Sequence, residues 1–163
     1  MNDNINFTIS GETDGGLTVT TKLELDHGYA SGDTFDNRSI AIANEMGTLT
    51  FAGHGGDSAQ SAVKDTTGKI WDIQGTTSQS VASSSSNNMM LYTLPSLMDG
   101  LTVKASYVPK GAVATRYESA VDYSLAYSGV EGLVVGAAFG EDTDTKGEEA
   151  DVDTLYANYT YGP

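Results

Sequence analysis

Leu17-Thr18-Val19-Thr20-Thr21-Lys22-Leu23-Glu24-Leu25-Asp26 decides the fold class. Its odd positions are Leu, Val, Thr, Leu and Leu; its even positions are Thr, Thr, Lys, Glu and Asp. A period of 2 sends these two sets to opposite faces of a strand, whereas helical spacing would mix them. The same alternation returns in Asn6-Phe7-Thr8-Ile9-Ser10, in Leu101 to Tyr107 and in Val121 to Tyr127. In Leu133 to Phe139 it separates Leu, Val, Ala and Phe from small residues. Working outward from these segments predicts nine strands, at 5–13, 16–26, 38–46, 48–54, 88–95, 100–109, 118–128, 132–141 and 152–161. No segment has the period of a crossover helix, so the strands form an antiparallel up-and-down meander, an all-β fold.

The strand starts repeat. Gly16-Leu17-Thr18-Val19, Gly100-Leu101-Thr102-Val103 and Gly132-Leu133-Val134-Val135 each follow a tight turn, and Gly47-Thr48-Leu49-Thr50 is a looser copy. Glycine there permits the positive φ of a short hairpin. Short turns at 14–15, 47, 96–99 and 129–131 alternate with long polar connections at 27–37, 55–87, 110–117 and 142–151. Short on one side and long on the other is the asymmetry of an outer-membrane barrel, and several strands have the length that a tilted membrane strand needs.

Composition excludes several function classes. The 163 residues carry 22 Asp+Glu against 8 Lys+Arg, a formal net charge of -14. The scattered bases give no phosphate-binding surface, so no nucleic-acid partner is expected. There is no cysteine, hence no disulfide, thiolate metal site or cysteine nucleophile. No apolar run reaches the length of a spanning helix, which says nothing of membrane strands. Met1-Asn2-Asp3-Asn4 is acidic and polar, unlike a secretory leader, and the expectation is a partial chain whose leader lies outside it.

Candidate chemistry is sparse. His54-Gly55-Gly56-Asp57-Ser58 holds fragments of a hydrolase motif, but a nucleophile elbow needs G-x-S-x-G before a helix. No acid/base or nucleophile constellation emerges, so no enzyme is expected. Asp142, Asp144, Glu148 and Glu149 imitate part of a calcium loop, with Lys at the fifth position and strands for flanks. They stand as a weak candidate for loosely bound Ca²⁺, beside the alternative of a solvated acidic loop, and no other cofactor is expected. Lys22, Glu24, Glu45, Lys104 and Asp122 lie on polar strand faces and become pore-wall residues in a barrel. Most of the tyrosines fall near strand ends, as in the aromatic girdles of membrane barrels.

Phe7-Thr8-Ile9-Ser10-Gly11-Glu12-Thr13-Asp14-Gly15-Gly16-Leu17 resembles a hairpin early in the general porins of alphaproteobacteria, and the repeated Gly-Leu-Thr-Val units fit them too. The resemblance implies part of a transmembrane barrel of about sixteen strands. It implies a homotrimer in outer-membrane lipid that passes small hydrophilic solutes and ions. In that family the third external loop folds inward and narrows the pore. With one strand placed before Asn6, the connection 55–87 falls after the fifth strand, where the family has that loop. Residues 1–163 then form one partial barrel domain, and Asp57, Lys64, Asp65, Lys69, Trp71 and Asp72 become constriction candidates. The Pro-Glu-Phe-Gly-Gly motif of enterobacterial constriction loops and a clustered arginine ladder are absent. The acid excess points to a pore that prefers cations. The alternative reading is a soluble or surface-attached β-sandwich or β-solenoid, an adhesin or carbohydrate-binding module, in which the apolar faces pack between sheets.

Overall fold

A computed structural model describes residues 4–26, 35–62, 87–109, 117–144 and 149–160. Among them nine strands form one sheet: β1 (Asn4–Glu12), β2 (Thr18–Asp26), β3 (Phe35–Asn44), β4 (Gly47–His54), β5 (Met89–Thr93), β6 (Leu101–Val108), β7 (Tyr117–Val130), β8 (Leu133–Asp144) and β9 (Glu149–Tyr159). Their order in the sheet is their order in the chain, and every adjacent pair is antiparallel. This is the expected meander. Among the described residues the one helical element is a 3₁₀ turn, Ala59–Ala62.

Register turns the period of 2 into two surfaces. Phe7 pairs with Leu23, Val19 with Ile42, Ile40 with Phe51 and Leu49 with Tyr92. Further along, Val103 pairs with Leu125 and Tyr123 with Phe139. Cross-strand partners share a face, so apolar side chains accumulate on one side of the sheet. No second layer among the described residues covers them: Ile9 is 70% exposed, Leu155 80% and Phe139 49%. Burying so much apolar area is worth about 25 cal/mol per Å², and only a hydrocarbon solvent recovers it here. A sandwich would bury this face between sheets, so the single sheet removes the sandwich alternative.

The opposite face carries Thr8 beside Lys22, Thr50 beside Ala41 and Ser106 beside Asp122. The buried apolar cluster Ala52, Met89, Val108 and Ala120 lies on this side, with Leu91 against it. Near the long connections the apolar band ends at charged residues, with Arg38 opposite Leu23 and Glu141 opposite Asp151. Tyr92, Tyr127 and Tyr159 mark its other border, each beside a short turn. Aromatic rings at the two ends of an apolar band are a barrel feature.

At the short turns, Gly16, Gly100 and Gly132 adopt φ of 77°, 76° and 75°, which is why the repeat begins with glycine. In the β3–β4 turn the Met46 N–H donates to Asn44 Oδ1 at 2.9 Å, and the Tyr92 hydroxyl donates to the Met46 carbonyl.

Two expectations need correction. Glu45 is in the tight β3–β4 turn, beyond the end of β3, and does not belong to a strand face. The connection expected at 142–151 contracts to 145–148, because β8 continues to Asp144 and β9 begins at Glu149. Extending the ladder pairs more backbone groups, which is favourable. The asymmetry of long and short connections is therefore weaker at β8–β9 than expected.

Neighbouring residues on opposite faces of β4 give a direct check. Phe51→Arg puts a charge in the apolar band and is expected to destabilise the lipid-embedded protein by about 2–4 kcal/mol. Thr50→Arg at nearly the same depth is expected to cost less than about 1 kcal/mol. Urea unfolding in lipid vesicles measures both; equal costs would contradict the assignment of faces.

Candidate channel wall

The polar face is a wall with two unlike halves. Over β1–β4 it is open and carries charge. Glu24 on β2 is buried, and its carboxylate accepts from Asn4 Nδ2 on β1 and from Asn37 Nδ2 on β3. One side chain thus ties three strands. The tie depends on a β-bulge: register shifts between Leu23 and Glu24, and β3 inserts Asn37 there. An extra residue re-aims the side chains next to it, so Asp36 stands opposite Glu24 while Asn37 also reaches Glu24.

A second bulge lies beside the first, where Arg38 pairs with His54 and Ser39 with Ala52. His54 Nδ1 meets Asp36 Oδ1 at 2.5 Å, with both side chains about one-third exposed. Sequence reasoning considered His54 only as a fragment of a hydrolase motif; its partner is set by two bulges that no local pattern announces. The exposed Lys22, with Asn6, His54 and Asp57, lines a recess of about 260 Å³. These groups supply amides, carboxylates and an ammonium side by side, which suits weak contacts to hydrated ions and offers no nucleophile paired with a base.

Over β6–β8 the wall is covered. After His54 the chain turns through Gly55, crosses the polar face and buries Ser58, Ala59 and Gln60. The 3₁₀ turn touches β6, β7 and β8. The Ala59 N–H donates to Ser106 Oγ at 2.8 Å, and Ser106 Oγ donates to Asp122 Oδ2 at 2.9 Å. Asp122 lies on the polar face of β7, but it is fully buried and does not line open water. Residues far earlier in the chain cover it, and its own strand holds no sign of them.

The other candidates distribute as follows. Asp57 is exposed at the start of the long connection, and Lys104 lies on the polar face opposite Ser124. Lys64, Asp65, Lys69, Trp71 and Asp72 lie outside the described residues, as does Glu148. Asp142 and Asp144 fall in β8 and Glu149 in β9, two strands of one hairpin. Among the described residues no three His, Asp or Glu side chains gather as metal ligands.

The Glu24 tie makes a measurable claim. Hydrogen bonds to a charged group are worth about 1.5–3 kcal/mol. Glu24→Ala and Asn37→Ala should each destabilise by an amount of that order, and the double variant by clearly less than their sum. Denaturant unfolding of the four proteins checks this; additive losses would show that the two side chains act separately.

Comparison with known proteins agrees with this geometry. A family model described as "Gram-negative porin" matches residues 1–163. No curated protein matches. Among solved structures, a triple mutant of the Rh. blastica porin is similar, with a TM-score of 0.56 and 19% identity over 98% of this chain and 70% of that one. A second structure, described as "Asymmetric conductivity of engineered proteins", has a TM-score of 0.53 and 18% identity, with the same shares covered. At these identities the likeness is one of fold, and the family match carries the assignment. A sheet with one face for lipid and one for water agrees with the family match along the whole length: the chain belongs to the Gram-negative porin family, passive diffusion channels of the outer membrane.

Proposed function

We propose that this porin prefers cations among the small hydrophilic solutes it passes. We propose also that connection 55–87 is its constriction loop and that it works as a homotrimer of barrels of about sixteen strands. The observation that carries the loop reading is the burial of Ser58, Ala59 and Gln60 against the polar wall. The start of the connection crosses the lumen side, and connections this long are usually functional.

Charge supports the preference. The described polar wall holds Glu24, Asp36 and Asp122, with Asp57 at the base of the loop, against Lys22 and Lys104. Asp65 and Asp72 belong to the same connection, and the whole chain has 22 acids to 8 bases. A low-dielectric wall focuses such a field on an ion in the lumen. Its reach falls from about 10 Å at 0.1 M salt to about 3 Å at 1 M. The weak Ca²⁺ candidate at Asp142, Asp144, Glu148 and Glu149 would act at the mouth, outside this path.

A reversal potential across a planar bilayer under a KCl gradient tests the preference. The expected sign is cation-selective, weakening as salt rises, and Asp57→Asn with Asp65→Asn and Asp72→Asn should move it toward zero. An anion-selective sign at low salt would overturn the reading. The mass of the detergent-extracted, unheated protein tests the assembly: three chains are expected, and a single chain would contradict the trimer.

A further inference from the structure

We propose that Gln60 is the positioning residue that pins the start of the long connection to the wall, in a slot the sheet keeps open at Gly140. Its effect on conductance rests on the constriction reading above; the pin itself rests on geometry.

The segment before Gln60 is taut. It leaves β4 and comes to rest on β6, β7 and β8. From β4 to β7 is three strand spacings, about 14 Å. The six residues from His54 to Gln60 reach about 20 Å when fully extended. With so little slack, the place where Gln60 seats fixes the position and direction from which the rest of the connection continues.

The seat has a specific shape. Gln60 is 0% exposed. A Cβ built on Gly140 would lie 1.7 Å from Gln60 Nε2 and 2.5 Å from Asp122 Oδ1. Glycine at 140 is thus what admits the carboxamide beside the Asp122 carboxylate. On the other side, Ser106 Oγ holds the Ala59 N–H and the second oxygen of Asp122. The three wall residues Ser106, Asp122 and Gly140 come from β6, β7 and β8 and pair in register.

The seat is also shallow. Both polar atoms of the Gln60 side chain are buried without a hydrogen-bond partner among the described residues. A buried amide in that state costs free energy, so shape and the nearby carboxylate hold it rather than a bonded network. Filling the slot by one methyl group should release it, and shortening Gln60 should then restore the seat, because the Ala59–Ser106 bond remains.

The chain has no cysteine, so single thiols report seating. In the outer-membrane protein, Ala59→Cys should react with a charged, water-soluble thiosulfonate about tenfold or more slowly than Asp57→Cys, which is exposed. Adding Gly140→Ala should raise the Ala59→Cys rate to that of Asp57→Cys. Adding Gln60→Ala as well should slow it again. Unchanged heat-modifiable mobility on gels confirms that each variant forms a barrel. Equal rates for Ala59→Cys and Asp57→Cys in the parent, no acceleration by Gly140→Ala, or no rescue by Gln60→Ala would each overturn the pin. Unit conductance is recorded on the same proteins. A steady level that breaks into flicker with Gly140→Ala and recovers with Gln60→Ala supports both pin and constriction. Labelling in the expected order with constant conductance supports the pin and removes the constriction reading.

Discussion

Every backbone N–H and C=O that enters hydrocarbon must find a partner inside the protein, since an unpaired group there costs several kcal/mol. The rest of this structure depends on that constraint. A sheet of neighbouring antiparallel strands meets it, and the nine strands here pair without a break in order. Once the ladder is fixed, side chains alternate between its faces with no freedom to do otherwise. The sequence exploits this by setting Leu, Ile, Val, Phe and Tyr on one parity and Thr, Ser, Lys and Glu on the other. The hydrophobic effect then acts between the sheet and its lipid solvent, and large apolar side chains such as Ile5, Ile9 and Leu155 stay outside.

The polar face poses the opposite problem, because groups that face a lumen are stable only where water or other polar groups reach them. Over β1–β4 they stay in contact with solvent and with one another, through the Glu24 tie and the His54–Asp36 pair. Over β6–β8 the chain covers its own wall, and the substitutes for water are few: Ser106, Asp122 and the Ala59 N–H. Small residues make that cover possible. Ala120, Ser124 and Ala138 are buried on this face, on the two strands that the 3₁₀ turn touches most. A passive channel thus acquires asymmetry from one connection, with a charged open half and a covered half.

Legibility followed the range of the interactions. Leu17 to Asp26 announced a strand because alternation is local, and the turn glycines announced hairpins because positive φ is local too. Glu45 was misplaced because the polar residues that end β3 continue its alternation into the turn. The β8–β9 connection was drawn too long because Asp142, Asp144 and Glu149 look like loop residues, although the ladder runs through them above the apolar band. The alternation of β7 places Asp122 on the polar face, but its cover comes from Ser58 to Gln60, more than sixty residues earlier in the chain. Gln60 itself gave no signal; only register brings Ser106, Asp122 and Gly140 side by side to receive it. Likewise the partners of Glu24 and His54 depend on bulges, which a period of 2 does not reveal.

The central claim is that β2 has lipid on one face and channel water on the other. Nitroxide scanning from Thr18 to Leu25 in lipid vesicles tests it most directly, by comparing collisions with oxygen, which concentrates in lipid, and with a water-soluble nickel chelate. The account predicts a period of 2: oxygen access highest at 19, 21, 23 and 25, and nickel access highest at 18, 20 and 22, with 24 lower where Glu24 is buried. Two curves that rise and fall together along the strand, or a period near 3.6, would contradict it.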